Sequence, residues 1–328
     1  MRTIRLGRTD ARVSAISLGT WSYGGASKAG EQSVGWSGQD DRESAAALIR
    51  AWELGINHWD TADVYGNGHS EEIIGSVWGT VPREDIFLAT KVGWDRGGYP
   101  RWYHPDMIRS HVERSLRNLR TDQVDLLYLH HCNFGDQGEW LPEAIATLRE
   151  LQQEGKTRFI GLSDWYSEKI MRYIGEVDPD VVQPYRNVMD DTFQSSGLKA
   201  YCETRDIGVC FFSPLKHGLL TGKYRKPVTF PEGDYRQNVP EFQDATLIQR
   251  LQEISRKLEQ HFPDHPHPVL HAVVDVLLTD ATTGCVLLGQ RNVSQVETAA
   301  TLGQSLSAEE AEWVRSLYQN SDLSEISR

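Results

Sequence analysis

The sequence predicts an α/β fold: a (β/α)8 barrel built as a single domain over residues 1–328. Three observations predict it. Short apolar runs alternate with amphipathic helical stretches, a pattern that implies parallel strands joined by crossover helices. About eight such runs recur, the number that closes a barrel. The Gly-rich phosphate turn that a doubly wound dinucleotide sheet carries after its first strand is missing. Pro and Gly are scattered, and neither a charge block nor a low-complexity run divides the chain.

The elements follow in order. Ala15–Gly19 is the first strand. Asp41 is placed to cap a helix with Ala45, Leu48, Ile49 and Trp52 on one face, and Gly55 stops it. Asn57–Thr61 is the second strand, followed by a helix near Glu71–Trp78. Ile86–Thr90 is the third, and Pro105 opens a helix with the stripe Ile108, Val112, Leu116 and Leu119. Val124–His130 is the fourth. Pro142 then opens a helix carrying Ile145, Leu148 and Leu151, closed by Gly155. Phe159–Ser163, Val181–Gln183, Val209–Ser213 and Cys285–Leu288 complete the strands. Helical stretches cover Leu198–Thr204, Ala245–His261, Val269–Thr279 and Val293–Thr301. Two segments, Gly30–Asp41 and Arg225–Asp244, lack any period. Loops of that length are usually functional, so the first is expected to line a pocket and the second to close over it.

Composition excludes several classes. Hydrophobic residues at 39% and charged residues at 24% are globular values, not those of a disordered chain. Lys+Arg 34 against Asp+Glu 46 gives a net charge of −12 without a basic stripe, which argues against nucleic acid as a partner. The apolar runs are strand-length and too short to span a membrane, and the N-terminus carries no signal-peptide core. Cys132, Cys202, Cys210 and Cys285 form no C-x-x-C pair and read as buried thiols of a cytoplasmic protein. Gly218-Leu219-Leu220-Thr221-Gly222-Lys223 is one residue short of a P-loop, and Tyr224 replaces its Ser/Thr. His261, His265 and His267, in a Pro-rich stretch, read as a solvated loop.

A barrel places its active site where the strands end. Asp60 ends the second strand, with Tyr65 five residues on; Lys91 ends the third and His130 the fourth. Each charge follows an apolar run, where an unpaired charge would cost several kcal/mol, so Asp60 and Lys91 should pair. A lysine about 4 Å from a phenol favours the phenolate by about 4 kcal/mol, roughly three pK units before desolvation is subtracted. Tyr65 is then a general acid, and His130 can donate to the same substrate oxygen. His131 follows His130, but adjacent strand residues point opposite ways, so no metal site is expected.

These residues carry a resemblance. Asp60-Thr61-Ala62-Asp63-Val64-Tyr65-Gly66, Ser70-Glu71, Leu18-Gly19-Thr20-Trp21, Ala89-Thr90-Lys91 and the strand ending in Leu129-His130 resemble the aldo-keto reductases. Gly161-Leu162-Ser163, Gln183 with Asn187, Ser213-Pro214-Leu215 and Gly218 through Tyr224 continue the match. The last segment is most similar to the branch with bacterial reductases and potassium-channel β subunits. The resemblance implies a barrel that binds NADPH (NADP⁺) across its mouth and reduces a small aldehyde or ketone. It implies Asp60, Tyr65, Lys91 and His130 as the catalytic set. It places the cofactor at Thr20, Trp21, Ser163, Asp164, Gln183, Phe212, Ser213, Pro214, Leu215, Gly218, Lys223, Gly289, Arg291 and Gln295, with Arg291 on the adenosine 2′-phosphate. The alternative it carries is a cofactor-holding module that docks on a protein partner; a homo-oligomer is equally open.

Departures stand out. Asp164 replaces an Asn beside Ser163, and a carboxylate only accepts hydrogen bonds. It is expected near the nicotinamide, where it would stabilise the oxidised ring unless Arg186 pairs with it. Arg186 replaces an aromatic residue, Leu288 a Pro, and Thr298 and Ala299 the usual adenine contacts. Trp21, Trp94, His131, Phe134 and Trp165 follow strand ends and are expected as an aromatic wall around the substrate.

Overall fold

Eight parallel strands close a barrel in the order of the chain. They are β1 (Ile16–Gly19), β2 (His58–Asp60), β3 (Phe87–Val92), β4 (Val124–Leu129), β5 (Thr157–Asp164), β6 (Val181–Pro184), β7 (Gly208–Phe211) and β8 (Gly284–Gly289). The seam is β8 on β1, with Val286 opposite Ile16 and Leu288 opposite Leu18. This computed structural model describes residues 1–29 and 31–319. Gly30, at the start of one expected loop, lies outside the described residues.

β3 and β4 are buried at every position, because side chains fill the barrel on one face and helices cover the other. The longer helices are α1 (Asp41–Glu53), α2 (His69–Ser76), α3 (Pro105–Leu119), α4 (Leu141–Gln153), α5 (Ser167–Val177), α6 (Leu198–Arg205), α7 (Ala245–His261), α8 (Val293–Ala300) and α9 (Ala308–Gln319), and the expected stretch before β8 is helical in three short pieces, Pro268–Leu270, His271–Asp275 and Val276–Thr279. No described helix is long and apolar enough to cross a membrane.

Several expectations shift. The cap of α1 is Asp40, whose carboxylate accepts from the amides of Arg42 and Glu43. The buried face of α1 is Ser44, Ala47, Leu48 and Ala51, so Ala45, Ile49 and Trp52 sit on its flank. Lys91 is the penultimate residue of β3, not its end, and His130 stands just past β4. The sequence reading missed α5, α9 and an antiparallel hairpin of Thr3–Arg5 with Arg12–Ser14. The hairpin packs at the N-terminal end of β7: the Arg8 amide donates to Asp206, and the Arg5 guanidinium meets the Asp206 carboxylate. His261 ends α7 and stacks on Trp313 at 4.0 Å, and His265 stacks on His271 at 4.3 Å, so that stretch is packed rather than simply solvated. All four cysteines are buried free thiols.

The two aperiodic segments are zipped together over the C-terminal mouth. Ser27 and Gly35 amides both donate to the Gly233 carbonyl at 3.2 Å, and the Tyr235 amide returns to Gly35 at 2.8 Å. Asp234, fully buried, accepts from the Ser37 amide and hydroxyl and from the Arg236 guanidinium. Arg236 in turn covers the rings of Trp36 and Phe230. Two short 3-10 turns, Tyr235–Asn238 and Pro240–Gln243, give the second segment its shape. The result is an ordered strap.

Candidate active site

The loops after β1 and β2 set the centre. Gly24 and Gly66 lie against each other: a Cβ on Gly24 would come within 2.4 Å of the Gly66 nitrogen, and Gly66 has φ +61. Only glycines allow that approach. It brings Trp21 over Tyr65, the rings stacked at 6.1 Å. Thr20, fully buried, donates to the Asp60 carbonyl at 2.9 Å and accepts from Ser70. Its side chain braces β2.

Lys91 carries the charge of the site. Its ammonium, almost fully buried, donates to Asp60 and to the Thr61 carbonyl at 2.8 Å. It lies 5.3 Å from the Tyr65 ring and 5.9 Å from that of Tyr128. The second Asp60 oxygen accepts from Gln183 Nε2 at 2.8 Å. Burial pushes the lysine pKa down, but Asp60 and Tyr65 outweigh it and hold it above its ordinary value. The balance at Tyr65 runs the other way. Burial pushes the phenol up, and Lys91 pulls it only part of the way back. The downward shift expected from the sequence is reversed, because the low-dielectric site penalises the phenolate more than one neighbouring ammonium favours it.

His130 meets the Tyr65 ring edge to face at 5.9 Å. Burial, with Lys91 next, lowers its pKa well below the usual value, so the imidazole is neutral. Its Nδ1 is buried without a hydrogen-bond partner. Next to it, His131 is buried. Its Nε2 faces the Gly93 carbonyl at 2.8 Å, and its Nδ1 accepts the Asn133 amide at 3.1 Å. His131 therefore braces the β4 loop, with its ring 5.6 Å from that of Trp94. Phe134 is likewise core, packed on Tyr103 and Tyr173. Trp94 is exposed beside His130, and Trp165 lies against Phe212 and Tyr185.

Both oxygens of the buried Asp164 carboxylate are used. One accepts the Cys132 amide at 2.8 Å, the other the Tyr166 amide at 2.9 Å. Arg186 pairs with Asp280, not Asp164. Ser163 donates to the Gln183 carbonyl. Past β7, Phe212 is half-buried, and Ser213, Lys216, His217 and Gly218 all have positive φ. Sequence reasoning missed this bend and the Lys216–Glu241 ion pair at 3.0 Å, which ties it to the strap. It also missed His217, packed between Trp21, Trp36, Trp165 and Tyr235. The one available signal was the crowding of aromatic residues in aperiodic segments.

Pro214 is buried and Leu215 half-buried on the same bend, while Lys223 is exposed over the Tyr224 ring. At the end of β8, Gly289 is exposed, with nothing within 4 Å of a Cβ placed there. The Arg291 amide donates to the exposed Gln295, and one guanidinium nitrogen donates to the Ser37 carbonyl. Ala299 faces the core. These groups fit a dinucleotide. The rim offers a flat ring, a backbone open to close approach, an Asn187 amide nitrogen buried without a partner, and a guanidinium fork.

Fold and site together define a barrel oxidoreductase. The Aldo/keto reductase family profile matches residues 15–319, and the chain belongs to that family. It is similar to the glycerol dehydrogenase AKR11B4 from Gluconobacter oxydans, with TM-score 0.80, 32% identity, and coverage of 96% of this chain and 94% of that one. An NADH-specific methylglyoxal reductase of Escherichia coli is 31% identical over 76% of this chain and 77% of its own. A putative voltage-gated potassium channel subunit beta of Schizosaccharomyces pombe is 29% identical over 78% of this chain and 75% of its own.

Proposed function

We propose that this chain is an NADPH-dependent reductase of small aldehydes or ketones, with Tyr65 as the proton donor. The observation that carries this reading is the Lys91 ammonium, fixed by Asp60 and the Thr61 carbonyl beside Tyr65, with neutral His130 at the ring edge. When bound, the cofactor supplies a hydride to the carbonyl carbon. Ser163, Gln183, Phe212, Ser213, Leu215, Gly218, Lys223, Gly289, Arg291 and Gln295 would hold it. Burial keeps Tyr65 protonated at neutral pH, the form a reducing acid requires. Lys91 stabilises the phenolate as the proton leaves, so its attraction is realised in the transition state. Asp60 and the Thr61 carbonyl hold Lys91 in place, and Gln183 holds Asp60. A neutral His130 still has one N–H to offer the carbonyl oxygen. Trp21, Trp94 and Trp165 would form the substrate wall.

Arg291 supports NADPH over NADH, because its fork matches a phosphate. The test is cofactor oxidation against a panel of aldehydes, with Tyr65→Phe as control. The variant should lose at least about 10²-fold in kcat while still binding cofactor. Activity within threefold of wild type would remove Tyr65 from the mechanism. The likeness to a channel β subunit supports a second reading, a cofactor-holding module that docks on a partner. Failure of every aldehyde and ketone to turn over, with cofactor bound, would favour it.

A further inference from the structure

Inside the barrel, within electrostatic reach of Lys91 and Asp60, four polar side chains meet. Ser17, His58, Cys210 and Cys285 come from β1, β2, β7 and β8, neighbouring strands that span the seam of the barrel. All four are fully buried. Cys210 and Cys285 stand opposite each other in register. His58 Nδ1 lies 2.8 Å from Ser17 Oγ and 3.5 Å from Cys285 Sγ. The ligand atoms of His58, Cys210 and Cys285 all fall within 4.8 Å of one another. His58 Nε2 is buried with no hydrogen-bond partner, so the ring is held only on its Nδ1 side.

We propose that His58 Nδ1, Cys210 Sγ and Cys285 Sγ form a binding site for a thiophilic divalent cation of the Zn²⁺ type, with Ser17 Oγ on the fourth side. The donor set is two sulfurs and an imidazole, which suits zinc and disfavours magnesium or calcium, ions that want several carboxylate or carbonyl oxygens. Charge selects further. Two thiolates and a neutral imidazole carry −2, which a divalent ion cancels. A monovalent ion would leave one net negative charge in the core, where charge is costly. Relative to the unfolded chain, binding releases one proton from each thiol and involves no electron transfer. The two thiols act on each other: the contact with Cys285 and burial push Cys210 well up, while at Cys285 burial pushes up but the hydrogen bond from Cys210, with His58 and Ser17, holds it down, so without an ion the pair keeps the proton on Cys210. The enclosed position means that the ion enters as the barrel closes. Once in place it ties β2 to β7 and β8, across the seam where the two ends of the barrel sheet meet.

The test uses the full chain, unfolded in reductant and chelator, then refolded with Co²⁺ or Zn²⁺. One Co²⁺ per chain should bind, with thiolate-to-cobalt absorption in the near ultraviolet and tetrahedral visible bands. Zn²⁺ should displace it, releasing no further protons, and should raise the unfolding midpoint with concentration. Cys210→Ala and Cys285→Ala should each abolish the thiolate band; Cys132→Ala and Cys202→Ala should not. If the first two variants fail to fold, X-ray absorption on zinc-refolded wild type decides, with two sulfurs at about 2.3 Å and a nitrogen at about 2.0 Å expected. A refolded wild type without the band overturns the site. So does a band that survives loss of Cys210 and Cys285, or a Cys210–Cys285 disulfide in the native metal-free protein.

Discussion

Asp164 shows how one side chain changes meaning once its partners are known. From the sequence it is a carboxylate where an amide is usual, and a charge beside the nicotinamide is a natural reading. In the fold each oxygen accepts one backbone N–H, from Cys132 and Tyr166, which joins the ends of β4 and β5. Asn has one acceptor oxygen, so Asp164→Asn would set its NH2 against a buried amide. We expect a stability loss of about 1–3 kcal/mol in urea unfolding, with an unchanged ratio of NADP⁺ to NADPH dissociation constants. A ratio that moves while stability holds would return the residue to the cofactor. Arg291 has the opposite profile. It is partly exposed, with one nitrogen on the Ser37 carbonyl. Arg291→Ala should weaken NADPH binding by roughly 10–100-fold, the worth of a charge-assisted contact, and leave NADH nearly unaffected. Equal loss for both cofactors would assign the arginine to the strap alone.

The strap has only short regular pieces, two 3-10 turns and a small hairpin at Gln32–Ser33, and is held by polar contacts between segments about two hundred residues apart. Asp234 is its centre. Burial raises its pKa, but hydrogen bonds from Arg236 and Ser37 outweigh that and hold it at about 2. For a depressed carboxylate the stabilisation is present above the unfolded value of about 4 and is lost as pH falls through about 2. The amides of Gly35 and Tyr235 should therefore stay protected from hydrogen exchange down to about pH 4 and lose protection below it. Asp234→Asn should speed their exchange at neutral pH by about tenfold or more, because the Arg236 guanidinium loses its charged partner. Unchanged exchange would mean that the aromatic packing of Trp36 and Tyr235 suffices. The segments' sequences gave no sign of this pairing, since its donors and acceptors share neither period nor neighbourhood.

At the scale of the whole molecule, pH acts through Glu71. It is fully buried behind the Tyr65 loop, accepting from Thr90 at 2.8 Å and from Asn118 at 3.2 Å. Burial, and then the neighbouring Asp63, push its pKa from 4.5 up to about 7. The folded chain binds this proton more tightly than the unfolded one. The resulting stabilisation, about 3 kcal/mol, is fully present below pH 4.5 and lost as pH rises through about 7. Glu71→Gln should remove that fall. The check is the difference in unfolding free energy between wild type and variant at pH 5 and pH 8, and a constant difference would show that Glu71 does not titrate in this range.

The sequence by itself determined the barrel, because apolar runs of strand length separated by helical stripes leave few other ways to bury both faces of each strand. It also determined which residues meet at the centre of the site. Asp60, Lys91 and His130 lie at or beside strand ends, and closure of a barrel in chain order brings successive strand ends together. What only the tertiary structure decided depends on distance and dielectric. Tyr65 is pushed up rather than down because desolvation depends on everything packed around it. Thr20 and His131 are each tied to a partner, Asp60 and Gly93, that lies on another strand or its loop. The strap, and the cluster of Cys210, Cys285 and His58 in the barrel, join residues far apart in the chain. No local period encodes such a meeting; it exists only once the sheet has closed on itself.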